Sequence, residues 1–479
     1  MFEKLIRWMR SLLSQMFDQG QDSDIILSDK MASAVALWAR MYEDGGPWCN
    51  GKTGIHSLRL PAAIASEFAR LVTIEMSVTF DGSPRAAFLQ AQLQPFLDRI
   101  RDYVELGGAL GGAVFKPYVA DGALAVDVVQ GDAFFPTTFD TANNMTGAIF
   151  VQQIKRKSVI YTRAEHHEYS AGDRTHIIEN KAFASHSGFS LGSPIALTDV
   201  PEWSDIAPDA TIENVDRPLF AYFRVPHANR QDRHSPLGTS VYADAVDSIR
   251  DADEQYGRYL WEYEGGQLAV DVAEELLDHK PGPDGTVDAR VPRLEKRLYR
   301  GRSVGNNKDA TFYEAFAPEL RDASYRAGLN TILQRIEFQC GLAYGTLSDP
   351  QDVARTATEV TASKQRSYST VRDIQLSLQN ALDDLIYAMD QMATIYKLAP
   401  AGAYKVAYDW DDSIVNDPNQ RKQMFWQYVA AGQFPMWRYL MEFEGYTEED
   451  AKAIQAETQQ NAGLSNPFNF AGGDGNASA

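Results

Sequence analysis

The period of hydrophobic and polar positions changes several times along the chain, and each change marks an element. Residues 1–19 carry Phe2, Leu5, Ile6, Met9, Leu12, Leu13, Met16 and Phe17 at helical spacing, with Lys4, Arg7 and Arg10 between them. Arg7 and Arg10 interrupt the apolar run and no clear cleavage site follows. The segment therefore reads as a helix docked on its own protein or on a neighbour, rather than as a signal peptide or membrane-surface helix. Helical patterns recur over 29–42, 61–74 and 94–105, with a strand over 76–80. The run Gly107–Gly112 reads as a connector. From Ala113 to about Phe223 the period is two, which predicts strands over 113–120, 124–129, 146–153, 159–163 and 165–169. Asp121-Gly122 and Ala171-Gly172-Asp173 are expected hairpin turns.

The texture changes at Ser235-Pro236-Leu237-Gly238. Tyr242, Val246, Ile249, Tyr256, Leu260 and Tyr263 then recur at intervals of 3, 4 and 7, one seam on a long helix that Gly265-Gly266 ends. An insert follows over 267–316, with a turn at Pro281–Gly285. A second long helix is expected from Pro318, with its seam at Leu329, Ile332, Leu333 and Ile336 and its end near Cys340-Gly341. After a loop over 342–350, residues 351–399 contain neither Gly nor Pro and read as nearly one helix. Its first half is polar and its second half apolar, which argues for a shared surface or lined cavity rather than a monomer core. A strand over 404–410 and a C-terminal helical unit follow. Asn416 or Asp417 is the expected cap before Pro418, Thr447 with Asp450 forms a capping box, and the tail after Asn461 is rich in Gly, Asn, Ala and Ser.

Length and composition narrow the class. The chain has 479 residues, 45 Lys+Arg against 65 Asp+Glu, and a formal net charge of −20. Such a balance excludes coating nucleic acid by bulk charge, so any DNA contact must be local. The basic residues are unevenly placed: Arg290, Arg293, Lys296, Arg297, Arg300, Arg302 and Lys308 lie in one short stretch against the single acid Glu295. The two cysteines, Cys49 and Cys340, exclude a disulfide framework and fit synthesis in a reducing cytoplasm. No apolar run is long enough to span a bilayer.

Motifs of catalysis are present only in letters. Gly46-Pro47-Trp48-Cys49-Asn50-Gly51-Lys52-Thr53 matches the P-loop pattern. Phosphate binding there needs a strand before it and a helix N-terminus after it. A helix precedes it here, Pro47 removes an N–H, and Pro61 delays the next helix. Gly188-Phe189-Ser190-Leu191-Gly192 matches a nucleophile elbow but has small, polar flanks, so a surface turn is expected, and Asp199 and His227 complete no triad. His166, His167 and His176 read as solvated strand residues rather than metal ligands, and Asp409, Asp411 and Asp412 as strand-end and capping groups rather than a cation site.

The remaining signal is architectural: two seam-bearing helices bracket a small basic insert, followed by a loop and a very long helix. Several segments support a resemblance. They are Ser235–Gly238, Asp251-Ala252-Asp253-Glu254-Gln255-Tyr256, Arg335–Asp349, Thr356–Val360, Ser363-Lys364-Gln365-Arg366-Ser367-Tyr368 and Asp409–Ser413. With these segments, in this order, the chain resembles the portal proteins of long-tailed double-stranded DNA bacteriophages, in the branch typical of Gram-positive hosts. The resemblance implies a helix-rich α+β portal fold and no enzymatic activity or cofactor. It implies a ring, usually of twelve subunits, at a capsid vertex of the virion, assembled in the host cytoplasm. The implied partners are the major capsid protein, scaffolding protein, terminase, head-to-tail adaptor and the double-stranded DNA in the channel, with no membrane.

In these terms 1–19 is an N-terminal helix, 20–234 the wing, 235–266 and 318–341 the stem, and 267–317 the clip. Residues 342–355 are the tunnel loop, 356–399 the long wing helix, and 400–479 the crown and tail. Thr346, Leu347, Ser348, Asp349, Gln351 and Asp352 are then expected to face DNA. Arg290, Arg293, Lys296, Arg297, Arg300 and Arg302 are expected to dock a partner or steady DNA. The rival readings are a P-loop NTPase acting on DNA, and a scaffold or head-completion protein with no channel.

Overall fold

Helix α1 (Asp29–Glu43) turns Met31, Val35, Trp38 and Met41 to one side at helical spacing, and all four are buried. The computed structural model to which it belongs describes residues 27–43, 45–49, 54–74, 76–187, 190–267, 269–273, 279–281, 287–289, 299–302, 313–316, 318–349, 357–410 and 418–464. The helix expected over 1–19 lies outside them. The chain forms two compact units that divide between Trp410 and Asp411.

In the first unit α2 (Leu60–Thr73) buries Ile64, Phe68 and Val72. Strand β1 (Ser77–Gly82) follows. The single helix expected over 94–105 is instead two, α3 (Pro84–Leu97) and α4 (Ile100–Leu110). The apolar period runs across the break because Asp98 keeps a right-handed helical backbone. Pro84, at the start of α3, marks the helix that the periodicity misses. The glycine connector is also corrected: Gly107 and Gly108 lie inside α4, and only Gly111, at φ 89°, ends it. A Cβ on Gly107 would stand 2.9 Å from the Phe223 ring, so glycine here serves close packing rather than helix termination.

Strands β2 (Gly112–Ala120) and β3 (Ala123–Gln130) form the expected hairpin across Asp121 and Gly122, both at positive φ. A second sheet runs β4 (Phe134–Phe139), β5 (Met145–Arg156), β6 (Val159–Ser170), β7 (Thr175–Ser185) and β8 (Ser193–Ile195) in that order, with β9 (Asp209–Glu213) paired to β7. The two strands expected over 159–169 are one continuous strand, β6. Strand β10 (Ala221–Arg224) pairs with β2 on the side away from β3.

Helix α5 (Val246–Gly265) follows a short turn of tighter helix. The insert contributes β11 (Ala269–Ala273), β12 (His279–Pro281), β13 (Val287–Ala289), β14 (Tyr299–Arg302) and β15 (Tyr313–Phe316). In it β11 pairs in parallel with β14 and antiparallel with β15, while β12 pairs with β13. Helix α6 (Asp322–Cys340) begins at Asp322 rather than Pro318 and ends on Gly341 at φ 78°.

Helix α7 (Ala357–Ile395) has 39 residues, about 60 Å at ~1.5 Å each. Its apolar half is not left to a shared surface. Val371, Ile374, Leu378, Leu382, Leu385, Ile386 and Met389 are buried in the main core. They pack there because α2, α3, β2 and β10 all lie along this helix. Near its end it is tied to α3 by the fully buried Arg85, which donates to the Pro400 carbonyl and Thr394 Oγ1, both at 3.1 Å. Strand β16 (Tyr404–Asp409) pairs antiparallel with β1 and closes the unit.

The second unit is α8 (Pro418–Ala430), α9 (Met436–Glu444) and α10 (Glu448–Leu464). One arm of the expected capping box forms: Asp450 N–H donates to Thr447 Oγ1 at 3.3 Å, while the Asp450 carboxylate accepts the Thr447 hydroxyl at 2.7 Å rather than the backbone N–H that a full box would use. Asn416, Asp417, Asp411 and Asp412 lie outside the described residues. No helix among the described residues is long and apolar enough to cross a membrane.

Candidate functional site

The seams of α5 and α6 meet. Ile249, Ala252 and Ile336 are buried, and Leu329, Ile332 and Leu333 pack on the same core. Where α5 ends, Glu262 Oε1 accepts the Arg321 backbone N–H and Nε–H at 3.1 Å, and Oε2 accepts Nη2–H at 2.7 Å. These bonds hold the Glu262 carboxyl below its ordinary range. The fork ties the two helices together where the insert leaves them.

The loop after α6 is folded around a buried carboxylate. Asn330 and Glu337 are two helical turns apart and share a face of α6. Glu337 is fully buried. Its Oε1 accepts the N–H groups of Gly345, Leu347 and Ser348 at 3.1, 2.6 and 2.8 Å, and Oε2 accepts the Ser348 hydroxyl at 2.9 Å. Asn330 Oδ1 accepts the Asp349 N–H at 2.7 Å. Arg366 of α7 donates Nη2–H to the Leu342 carbonyl at 3.3 Å, and its guanidinium lies 4.7 Å from the Phe338 ring centroid and 5.1 Å from that of Tyr344. Of the residues expected to face DNA, Ser348 is buried in this cradle, Thr346 and Leu347 are half-buried, and Asp349 is exposed. Gln351 and Asp352 lie outside the described residues. Periodicity alone does not expose the cradle. Its one trace is an acid placed directly after Ile336, in the seam of α6, and before a helix-ending glycine.

In the basic stretch, Arg300 and Arg302 lie on β14, in register with Asp271 and Ala273 of β11. Arg290, Arg293, Lys296, Arg297 and Lys308 lie outside the described residues.

The P-loop-like segment follows α1, not a strand, and α2 begins only at Leu60. Its described part is fastened to α5: Trp48 Nε1–H and Cys49 Sγ–H donate to Asp253 Oδ2 at 2.8 and 3.4 Å. The Leu58 N–H donates to Asp253 Oδ1 at 2.8 Å. Burial, and then Asp253, push the Cys49 thiol up to about 11, so it is no nucleophile at neutral pH. Asn50–Thr53 lie outside the described residues. In the elbow-like segment Ser190 is exposed, as a surface turn requires, but Leu191 is buried.

The histidines overturn the solvated expectation. His166, His167 and His176 are all buried. His167 Nδ1 and His176 Nε2 share a hydrogen bond of 2.9 Å, and His167 Nε2 bonds Glu165 Oε1 at 2.8 Å. Glu165 also pairs with Lys116 at 2.6 Å and Arg163 at 3.1 Å. Alternation puts His167 on one face of β6, but only the aromatic cover of Phe150 and Phe220 makes that face interior. Burial lowers His166 to about 4 and His176 to about 2, while Lys116, His167 and Arg163 hold Glu165 well below the carboxylate range despite its burial. Among the described residues no group of His, Cys, Asp and Glu is placed to hold a metal ion.

The model of a family described as phage portal protein, SPP1 Gp6-like, matches residues 91–464. The chain belongs to that family of portal proteins. The match begins in α3 and runs through the stem-like pair, the cradle and α7 to the end of α10. A comparison with curated proteins finds no match. Among solved structures, the chain is similar to one described as the neck of a native GTA particle computed with C12 symmetry, at 9% identity and a TM-score of 0.32. That likeness covers 80% of this chain and 89% of the other.

Proposed function

We propose that this chain is the subunit of a ring, of about twelve copies by family expectation, which forms the DNA channel at one vertex of a phage capsid. The family match over 91–464 carries the reading. It is supported by the order of elements: a helix, a small sheet bearing Arg300 and Arg302, a returning helix, a loop and a 39-residue helix. DNA enters through this channel during packaging and leaves through it at infection. With −20 per subunit, the ring repels phosphates overall, so DNA slides rather than sticks, and a few cations guide it.

In this reading 20–234 is the wing, 235–266 and 318–341 the stem, 267–317 the clip, 356–399 the long wing helix, and 400–479 the crown with its tail. Arg290, Arg293, Lys296, Arg297, Arg300 and Arg302 dock the terminase or adaptor, or steady DNA at the exit. Thr346, Leu347, Asp349, Gln351 and Asp352 form the part of the tunnel loop that meets DNA, while Ser348, expected among them, is buried against Glu337 and holds the loop instead. The major capsid protein surrounds the ring in the virion, and scaffolding protein is its partner during assembly. Hydrolysis of ATP belongs to a separate terminase, so the chain itself is a conduit and not an enzyme. Negative-stain electron microscopy of the purified protein tests this. Closed rings with a central hole are expected, and monomers or dimers that persist across salt and concentration, even with capsid and scaffolding proteins present, would overturn it.

A further inference from the structure

We infer that Glu337 is the positioning residue of the tunnel loop, with Asn330 and Arg366 as its auxiliaries. This rests on the conduit reading for its function, but its geometry stands alone. A buried carboxylate is costly unless its lone pairs are filled. Here they are filled by three backbone N–H groups and one hydroxyl, all from Gly345, Leu347 and Ser348. Among the described residues no cation pairs with Glu337. The carboxylate therefore holds a stretch of main chain, and it is the main-chain conformation of this stretch that it specifies.

The attachment has two sides. Asn330 takes the next N–H, that of Asp349, so successive loop residues are bound to one face of α6. From the other side, Arg366 reaches out of α7 to the Leu342 carbonyl and stacks on Phe338, which belongs to α6, and on Tyr344, which belongs to the loop. The segment from Leu342 to Asp349 thus moves with α6, and Arg366 couples it to α7. DNA passing the channel would meet a loop whose base is set by the stem and registered against the long helix. Gly341 makes the return possible: at φ 78° it turns the chain back, and a Cβ there would stand 2.6 Å from Thr370 Oγ1 of α7.

The test separates hydrogen bonding from packing. Glu337→Gln keeps an acceptor for the three N–H groups, and the Ser348 hydroxyl can reverse to accept from the new amide. Glu337→Leu keeps bulk and removes every acceptor. Hydrogen–deuterium exchange of the full-length protein should show the amides of Gly345, Leu347 and Ser348 within about threefold of wild type in Glu337→Gln. In Glu337→Leu they should exchange at least about tenfold faster, with peptides from β2 and β3 unchanged. In phage assembly, Glu337→Leu should give normal ring incorporation but fewer DNA-filled heads, with Glu337→Gln restoring them. Unchanged loop exchange in Glu337→Leu, or equal effects of Leu and Gln, would overturn the inference. Should Glu337→Leu fail to fold, Ser348→Ala and Asn330→Ala each remove one arm and must each raise exchange locally; no rise in either overturns it. Because exchange is read on the protein whether or not rings form, failure of the conduit reading would show separately, as faster exchange without any effect on DNA.

Discussion

Gly238 lies backbone to backbone against Gly111: a side chain on Gly238 would overlap the Gly111 carbonyl oxygen, and one on Gly111 would stand 2.6 Å from that of Gly238. The crossing is held by the Val225 N–H on the Gly111 carbonyl at 3.1 Å and by the Gly238 N–H on the Tyr222 hydroxyl at 3.2 Å. It joins the end of α4, strand β10 and the approach to α5. Gly238→Ala should therefore cost roughly 3–5 kcal/mol, since the obstacle is main chain and cannot swing away. A thermal melt checks it; a Tm within 2 °C or so of wild type would show that the crossing relaxes freely.

The buried histidines predict acid sensitivity. His166, His167 and His176 are all lowered in the folded chain, so each is neutral there at a pH where the unfolded chain binds a proton. Stability is then full above about pH 6.5 and falls as the pH drops towards 4, by on the order of a few kcal/mol in total. Burial is the main obstacle to protonation, with Lys181 and the cations around Glu165 adding to it; Glu165 favours a proton on His167 and His176 but does not outweigh burial, and Glu179, 3.9 Å from His166, is exposed. His176→Gln should flatten the pH dependence of urea midpoints between pH 4 and 6.5 or so. An unchanged slope would remove His176 as its source.

Glu165 compensates Lys116 and Arg163 together and accepts a hydrogen bond from neutral His167. Glu165→Gln leaves the buried Lys116 without its anion and removes the partner of the half-buried Arg163, and should cost about 3–5 kcal/mol at pH 7, more than Arg163→Gln, which leaves the Lys116 pair intact. Equal losses in denaturant titrations would show that the two cations are not held by one anion.

Neutralising Arg293, Lys296, Arg297 and Arg300 together should leave rings intact while impairing terminase or adaptor docking. Counting rings by microscopy and filled heads by DNA content checks both halves. Normal packaging would reduce the basic stretch to a solvated surface.

Lys52→Ala should change nothing in nucleotide binding, because the wild type is expected to bind none. Calorimetric titration of both proteins with Mg-ATP checks this, and binding that Lys52→Ala abolishes would restore the NTPase reading.

Periodicity and turn chemistry were enough for α1, α2, the β2–β3 hairpin, the α6 seam, α7 and one arm of the Thr447 cap, because each is a local consequence of spacing; the α5 seam reaches the core only through Tyr242, Val246 and Ile249, and Tyr263 is exposed. Segment order was enough for the family. Tertiary structure decided what local pattern leaves degenerate. Gly107 and Gly108 remain helical because Phe223 and Val241 pack against them. His167 and His176 are interior because Phe150 and Phe220 cover one face of the sheet, and alternation does not say which face will be covered. The apolar half of α7 becomes core because strands and helices distant in sequence close around it. Glu337 shows in sequence only as an acid beside the α6 seam and ahead of a helix-ending glycine, which does not separate it from a solvated helix acid. What makes it a positioning residue is three main-chain N–H groups that a left-handed turn at Gly341 brings back onto it. The sequence alone thus determined the family and most elements, while burial, and with it the meaning of each charge, came only from contacts between segments far apart in the chain.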